Sequence, residues 1–202
     1  MTIILSTTII FSLLGYFFSK QIRKYALYVY AFFALIALII GSQNANIISL
    51  GYVPFGIFLL VMYMGILDKG KFKNQLLGVR GEFAIIGTIL LIPHAVGYLG
   101  YYFDFVGFWT GTASFYIGIV AVLVLAPLSL TSFRKVKSKL GYKKWKKTHY
   151  FSYLFYVLIG LHLTLMHNDR FWFYIIIFGF YIVLKSYMLI KTYRIKKIKN
   201  KN

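Results

Sequence analysis

Residues 80–103 read RGEFAIIGTILLIPHAVGYLGYYF, an arginine and a glutamate followed by apolar, small and aromatic residues that carry Pro93 and His94 in their second half. At about 1.5 Å per helical residue, such a run covers the ~30 Å hydrocarbon core of a bilayer. A matching run at 149–167, HYFSYLFYVLIGLHLTLMH, also begins beside basic residues and carries His162 deep inside it. These two stretches decide the reading of the chain: helices that cross a membrane, each with an imidazole well below its basic end.

Outward from them, the pattern repeats. Apolar spans fall at 2–19, 25–41, 47–67, 80–103, 112–131, 149–167 and 171–190. This predicts an all-α integral membrane protein, a bundle of about seven transmembrane helices. Composition agrees: 60% of the residues are hydrophobic, 20% are aromatic and 13% are charged, against about 25% charged in soluble domains. The longest polar stretch is about 16 residues, which leaves no room for a soluble domain.

The net charge of +19 raises nucleic-acid binding as a class. Its distribution argues against that and for a bilayer partner. Of 23 basic residues, 22 lie in alternate linkers: Lys20 to Lys24, Lys69 to Arg80, Arg134 to Lys147, and Lys185 to the end. The linkers between hold only Arg170. The positive-inside bias of membrane proteins then puts the N-terminus outside and the C-terminus in the cytoplasm, as expected for a multi-pass protein of a bacterial inner membrane. The first span carries its charge after the apolar run, unlike a signal peptide, and is read as a retained helix. The Lys-rich segment 191–202 reads as a cytoplasmic tail held by anionic lipid.

The absence of cysteine excludes disulfides, cysteine-held iron–sulfur clusters and thiolate-ligated haem. No Gly-rich nucleotide fingerprint follows a strand, so a nicotinamide or flavin (FMN or FAD), or a quinone, would be bound through a partner or an interface. Ionisable groups inside a span are costly and therefore functional candidates. Asp68, Asp104 and Asp169 fall at loop edges, and Lys185 can snorkel to the interface. Glu82, two residues after Arg80, reads as a local ion pair or a helix-start acid.

The histidines stand apart. His94 lies 14 residues past Arg80 and His162 lies 15 past Lys147, so both sit roughly 21–22 Å from the basic end, on parallel helices. Equal depth is what two axial ligands of one iron require, and neutral imidazole is a good iron ligand. Two unrelated histidines, each hydrogen-bonded across a helix interface, remain the other reading, and the depth match sets the two level. Pro93 removes the helical bond to the carbonyl of Ile89 and is expected to kink the span.

His149 precedes His162 by 13 residues, about 20 Å along a helix but roughly 220° around it, so an ideal helix does not align the two. The positions opposite it in the fourth span are Arg80 and Gly81, which do not ligate iron. It reads either as a ligand of a second haem or as an interfacial histidine beside a headgroup or propionate. His167 reads as interfacial.

Several motifs then converge. Arg80-Gly81 opens a span; Pro93-His94-Ala95-Val96-Gly97-Tyr98-Leu99 follows; Ala126-Pro127-Leu128-Ser129-Leu130-Thr131-Ser132 ends a helix. The loop from Leu140-Gly141 through Trp145-Lys146 to His149-Tyr150 comes next, and Gly160-Leu161-His162-Leu163 closes the set. From about Arg80 to His162 the chain resembles the ferric-reductase-like transmembrane family, including the YedZ-like haem-binding membrane subunit of a bacterial methionine sulfoxide reductase system and, more distantly, the NADPH oxidases.

The resemblance implies a six-helix haem-binding core, with the N-terminal helix as an addition, and a division into 1–46, 47–190 and 191–202. It implies b-type haem with His94, His162 and His149 as iron ligands, and Arg80 and Trp145 as further cofactor-binding residues. It also implies an electron-transfer subunit of an oxidoreductase. A cytoplasmic flavin reductase or quinol would be the donor, and an extracytoplasmic redox protein or ferric iron the acceptor. Oxidases of the family carry two histidines in each ligand helix, whereas this chain has only His94 in the fourth span, as the YedZ-like branch does. The alternative is a haem-free multi-spanning protein, a small transporter or assembly partner. Inverted repeats and paired broken helices, the usual transporter signs, are not present in the sequence, nor is an H-E-x-x-H hydrolase motif.

The lack of native cysteine makes the topology directly testable. In intact cells, a membrane-impermeant maleimide is expected to label Asp169→Cys and to leave Lys144→Cys unlabelled until the membrane is opened.

Overall fold

The computed structural model describes residues 1–41, 48, 50–101, 112–166 and 168–199. Among them the chain is helical, with no strand. The helices are α1 (Thr2–Lys24), α2 (Ala26–Gly41), α3 (Tyr52–Tyr63), α4 (Lys71–Tyr101), α5 (Ala113–Leu130), α6 (Arg134–Leu140), α7 (Tyr142–His149), α8 (Phe151–Met166) and α9 (Phe171–Lys199). A 3₁₀ turn, Asn168–Arg170, joins the last two. Five helical stretches, including α7 and α8 together, are long and apolar enough to cross a membrane; Ala26–Ile39 and α3 are shorter and apolar. The protein is an all-α multi-pass membrane protein. His167, Asp104 and the linker 42–46 fall outside the described residues.

The outer surface shows why. Leu27, Leu38 and Trp172 are each more than 70% exposed on the bundle, among many exposed Ile, Phe and Val side chains. Such a surface is stable only against hydrocarbon, since contiguous apolar patches of this extent are not tolerated in water.

Within the bundle, α3 is the central element. Seven consecutive residues, Pro54 to Leu60, are buried, so this helix is covered on every side. It packs on α1 and α4. Phe55 stacks on Phe178 of α9, Phe58 meets Phe155 of α8, and the Tyr63 hydroxyl donates to the Ile177 carbonyl of α9 at 2.8 Å. Helices in lipid associate through close packing and hydrogen bonds rather than through a hydrophobic force. Gly56 supplies the closest approach: a Cβ there would lie 2.7 Å from the Ile4 carbonyl oxygen of α1. The Thr8 hydroxyl donates to the Gly56 carbonyl at 2.9 Å across that contact.

Several boundaries differ from the sequence reading, among them the last helix, which continues to Lys199, and three bear on the cavities. α3 begins at Tyr52 rather than 47 because Gly51 adopts a left-handed conformation (φ 77°) that stops the helix from extending backward. α4 begins at Lys71, nine residues before Arg80, and runs as one helix through Pro93. The basic loop folds into α6 and α7, separated by Gly141 at φ 73°, so His149 ends α7 and α8 begins two residues later at Phe151.

Glu82 is likewise not a first-turn acid. It is 5% exposed, and Arg134, just after α5, donates to it from Nε at 2.9 Å and again from Nη2. Its partner is thus 52 residues away rather than at Arg80. The pair ties α4 to the start of α6, and a buried carboxylate stripped of its cation is strongly disfavoured. Arg134→Ala is expected to cost about 2 kcal/mol, the scale of a hydrogen bond to a charged group with the cation half exposed. The measurement is the unfolding midpoint in detergent, and Arg134→Ala with Glu82→Gln should recover part of the loss.

Candidate functional site: two cavities divided by a pair of rings

Two cavities among the described residues hold the residues selected from the sequence, and Phe58 and Phe155 line both. Their rings meet edge to face, centroids 5.2 Å apart at 71°, and both side chains are buried. This pair is the partition: α3 and α8 each contribute one ring, and the space on either side differs in chemistry.

The cavity at the end remote from the basic loops has a volume of about 320 Å³ and is lined almost wholly by apolar side chains. His94 of α4 and His162 of α8 enter it from opposite helices. Their ring centroids are 6.3 Å apart and the ring planes stand at 85°. A glycine backs each ring. A Cβ on Gly118 of α5 would lie 3.1 Å from the His162 ring, and one on Gly51 would lie 3.2 Å from Nδ1 of His94. Tyr98, one turn beyond His94, packs against that imidazole with centroids 4.9 Å apart.

The protonation of His162 follows from its partner. Nδ1 lies 2.8 Å from the Ser114 carbonyl oxygen. A carbonyl only accepts, so Nδ1 carries the hydrogen, which in the neutral imidazole leaves the lone pair on Nε2. The Ser114 hydroxyl returns a bond to the His162 carbonyl at 3.0 Å, fixing α5 to α8 at this level. Metal-bound histidines are commonly oriented by such a bond from their other nitrogen. At the mouth of the cavity, the Arg170 guanidinium donates to the Tyr52 hydroxyl at 3.1 Å.

The second cavity, about 430 Å³, lies at the basic end and is lined by Arg23, Arg80, Arg134, Lys137 and Lys146. His149, Trp145 and Arg80 are here, so the sequence-selected residues divide between the two cavities. The His149 ring stacks on Trp145 with centroids 4.4 Å apart, and its Nε2 lies 3.2 Å from the Thr131 hydroxyl at the end of α5. No described histidine faces His149 across this cavity. Only Tyr150 separates α7 from α8. Bonds from Tyr150 N to Lys147 O and from Tyr153 N to Tyr150 O, each 3.2 Å, tighten the chain there toward a 3₁₀ turn. The ideal-helix rotation between His149 and His162 therefore does not apply.

Sequence reasoning found the histidines and missed their supports: Gly51, Gly118, Ser114 and Phe58. The only local signal was a polar Ser114 in the first turn of an apolar span. Among the described residues there is no cluster of three or more His, Cys, Asp or Glu.

The sequence profile of the ferric reductase like transmembrane component family matches residues 45–160, more than half of the chain. The chain belongs to the ferric-reductase-like transmembrane family. The match starts as the N-terminal helix pair ends and stops two residues before His162. An uncharacterized protein of Treponema pallidum is 29% identical over 165 residues, covering 72% of this chain and 46% of that protein. Magnetosome protein MamZ of Magnetospirillum gryphiswaldense is 38% identical over 54 residues, 27% of this chain and 8% of its own. The chain thus spans less than half the length of these relatives. No solved structure matches it.

The glycine behind His162 gives a graded test of the pocket. Alanine is the better helix former by about 1 kcal/mol, so Gly118→Ala should leave α5 intact or firmer. It should also push the imidazole by a few tenths of an ångström, and Gly118→Val should push it further. The expected result is an unfolding midpoint unchanged or raised in Gly118→Ala, together with altered ring-proton shifts of His162 in NMR.

Proposed function

We propose that the chain is a b-type haem subunit that carries single electrons across the membrane, with His94 and His162 as the residues that would hold the haem. One observation carries this reading: two imidazoles from parallel helices face one apolar cavity with centroids 6.3 Å apart. Two metal–nitrogen bonds of about 2.0 Å and two half-rings of about 1.1 Å span roughly that distance. The tautomer of His162 supports it, since Nε2 is the nitrogen left to ligate. So do the glycines behind each ring, which give the imidazoles room where a Cβ would crowd them.

When bound, the haem supplies a one-electron Fe(III)/Fe(II) couple. The protein's residues hold it, exclude water and set its surroundings. Each electron enters at the basic end, in the cavity of His149, Trp145 and Arg80. It crosses the Phe58–Phe155 pair and leaves past Tyr52 at the far end. By the charge bias, the basic end is cytoplasmic, so a flavin reductase or quinol there is the donor. A redox protein or ferric iron on the other side is the acceptor. The 45–160 family match supports a membrane redox role.

Protein purified from haem-replete cells is expected to show a Soret band and a reducible b-type spectrum, with about one haem per chain. His94→Ala or His162→Ala should lower the haem content at least fivefold. Colourless wild-type protein would overturn the proposal.

A further inference from the structure

The basic cavity has a property that electron transfer does not account for. Five cations line it, and only one carboxylate, Glu82, which Arg134 already neutralises. Arg23, Arg80, Lys137 and Lys146 therefore line a shared space of about 430 Å³ that no second carboxylate lines among the described residues. Arg23, Lys137 and Lys146 are exposed and Arg80 is half-buried, so together they make an electropositive mouth that raises the local concentration of anions.

The arrangement is built rather than incidental. Trp145 fixes two of the cations: Lys137 Nζ lies 4.1 Å from its ring centroid and the Arg80 guanidinium 6.0 Å. The indole is held in turn by the His149 ring and by Tyr142. Arg23 arrives from α1, its guanidinium against Gly78 of α4. Four separate elements thus deliver cations to one place. A second observation is independent of charge. The indole N–H of Trp145 is buried and has no acceptor among the described residues, and a buried donor left without an acceptor is costly.

A haem held by two histidines does not explain these features, because Nε2 of His149 is engaged by Thr131 and the facing positions on α4 are Arg80 and Gly81. We infer that this cavity is an anion site that takes a phosphate ester, held by Arg23, Arg80, Lys137 and Lys146 and by the Trp145 N–H. Arginine and lysine together suit a phosphate, the first as a fork of donors and the second as a point charge. The ester has two chemical sources at this depth, an anionic phospholipid headgroup or a soluble phosphomonoester. The inference does not depend on haem in the other cavity.

The full chain is purified in zwitterionic detergent and titrated with inorganic phosphate and with glycerol 3-phosphate, while unfolding midpoint and tryptophan fluorescence are followed. In parallel it is placed in nanodiscs of phosphatidylglycerol or of phosphatidylcholine. A saturable response to the soluble esters identifies a soluble ligand, and a response to phosphatidylglycerol over phosphatidylcholine identifies a headgroup; either supports the site. Arg80→Gln with Lys137→Gln is expected to weaken the response at least tenfold. Lys191→Gln, which removes a charge on the exposed end of α9, should not alter it. Trp145→Phe keeps the aromatic packing and loses the donor, so a threefold or greater weakening is expected even if the double variant folds poorly.

No saturable response to any probe overturns the inference, as does an equal response in all variants. A haem-to-protein ratio of two that falls to one in His149→Ala also overturns it, because a second macrocycle would then fill the cavity. The readout needs no haem, so colourless protein that still binds phosphate refutes the haem reading alone.

Discussion

The full burial of α3 is the constraint on which the rest of the molecule depends. A 12-residue helix is only about 18 Å long and cannot cross a bilayer alone. It is held by α1, α4, α8 and α9, and each of its faces therefore has an assigned neighbour. Its N-terminal Gly51 lies behind His94, Phe58 closes against Phe155, and the Tyr63 hydroxyl is spent on a carbonyl of α9. Two cavities result because one short helix occupies the middle of the bundle and presents a ring at its centre.

The two cavities have opposite character, and each character follows from the elements around it. At the far end, the first turns of α5 and the second halves of α4 and α8 contribute apolar and small residues, with Ser114 spending both its carbonyl and its hydroxyl on His162. An imidazole there is held in one orientation. At the basic end, α1, α4, α6 and α7 bring cations whose charges reach a common space. The oriented imidazole on one side and the gathered charge on the other are both consequences of where helices end.

The helical class and the level of His94 and His162 were legible in the sequence, because both depend on apolar length and on a count from basic markers. What was not legible depends on contacts between distant segments. Glu82 finds Arg134 rather than Arg80, since α4 starts nine residues before Arg80 and carries the acid into the bundle. The retreat of α3 to Tyr52 needed the positive φ of Gly51, which composition does not reveal. Gly118 and Ser114 act only because α5 packs along α8, so no local pattern marks them. The break at Tyr150 between the two helices that carry His149 and His162 likewise has no local signature in the sequence.

Phe58 and Phe155 have no group that carries a proton, and their buried rings put apolar side chains where the two cavities meet. Electrons tunnel through such a gap, whereas protons and ions do not follow. On the proposed reading, every electron therefore crosses the dielectric as uncompensated charge. A full crossing is worth about 2.3 kcal/mol per 100 mV of membrane potential, and an electron leaving a negative interior runs down that gradient. The two rings would thus let the cell's electrical potential help drive reduction outside, a coupling that a hydrated gap would short-circuit.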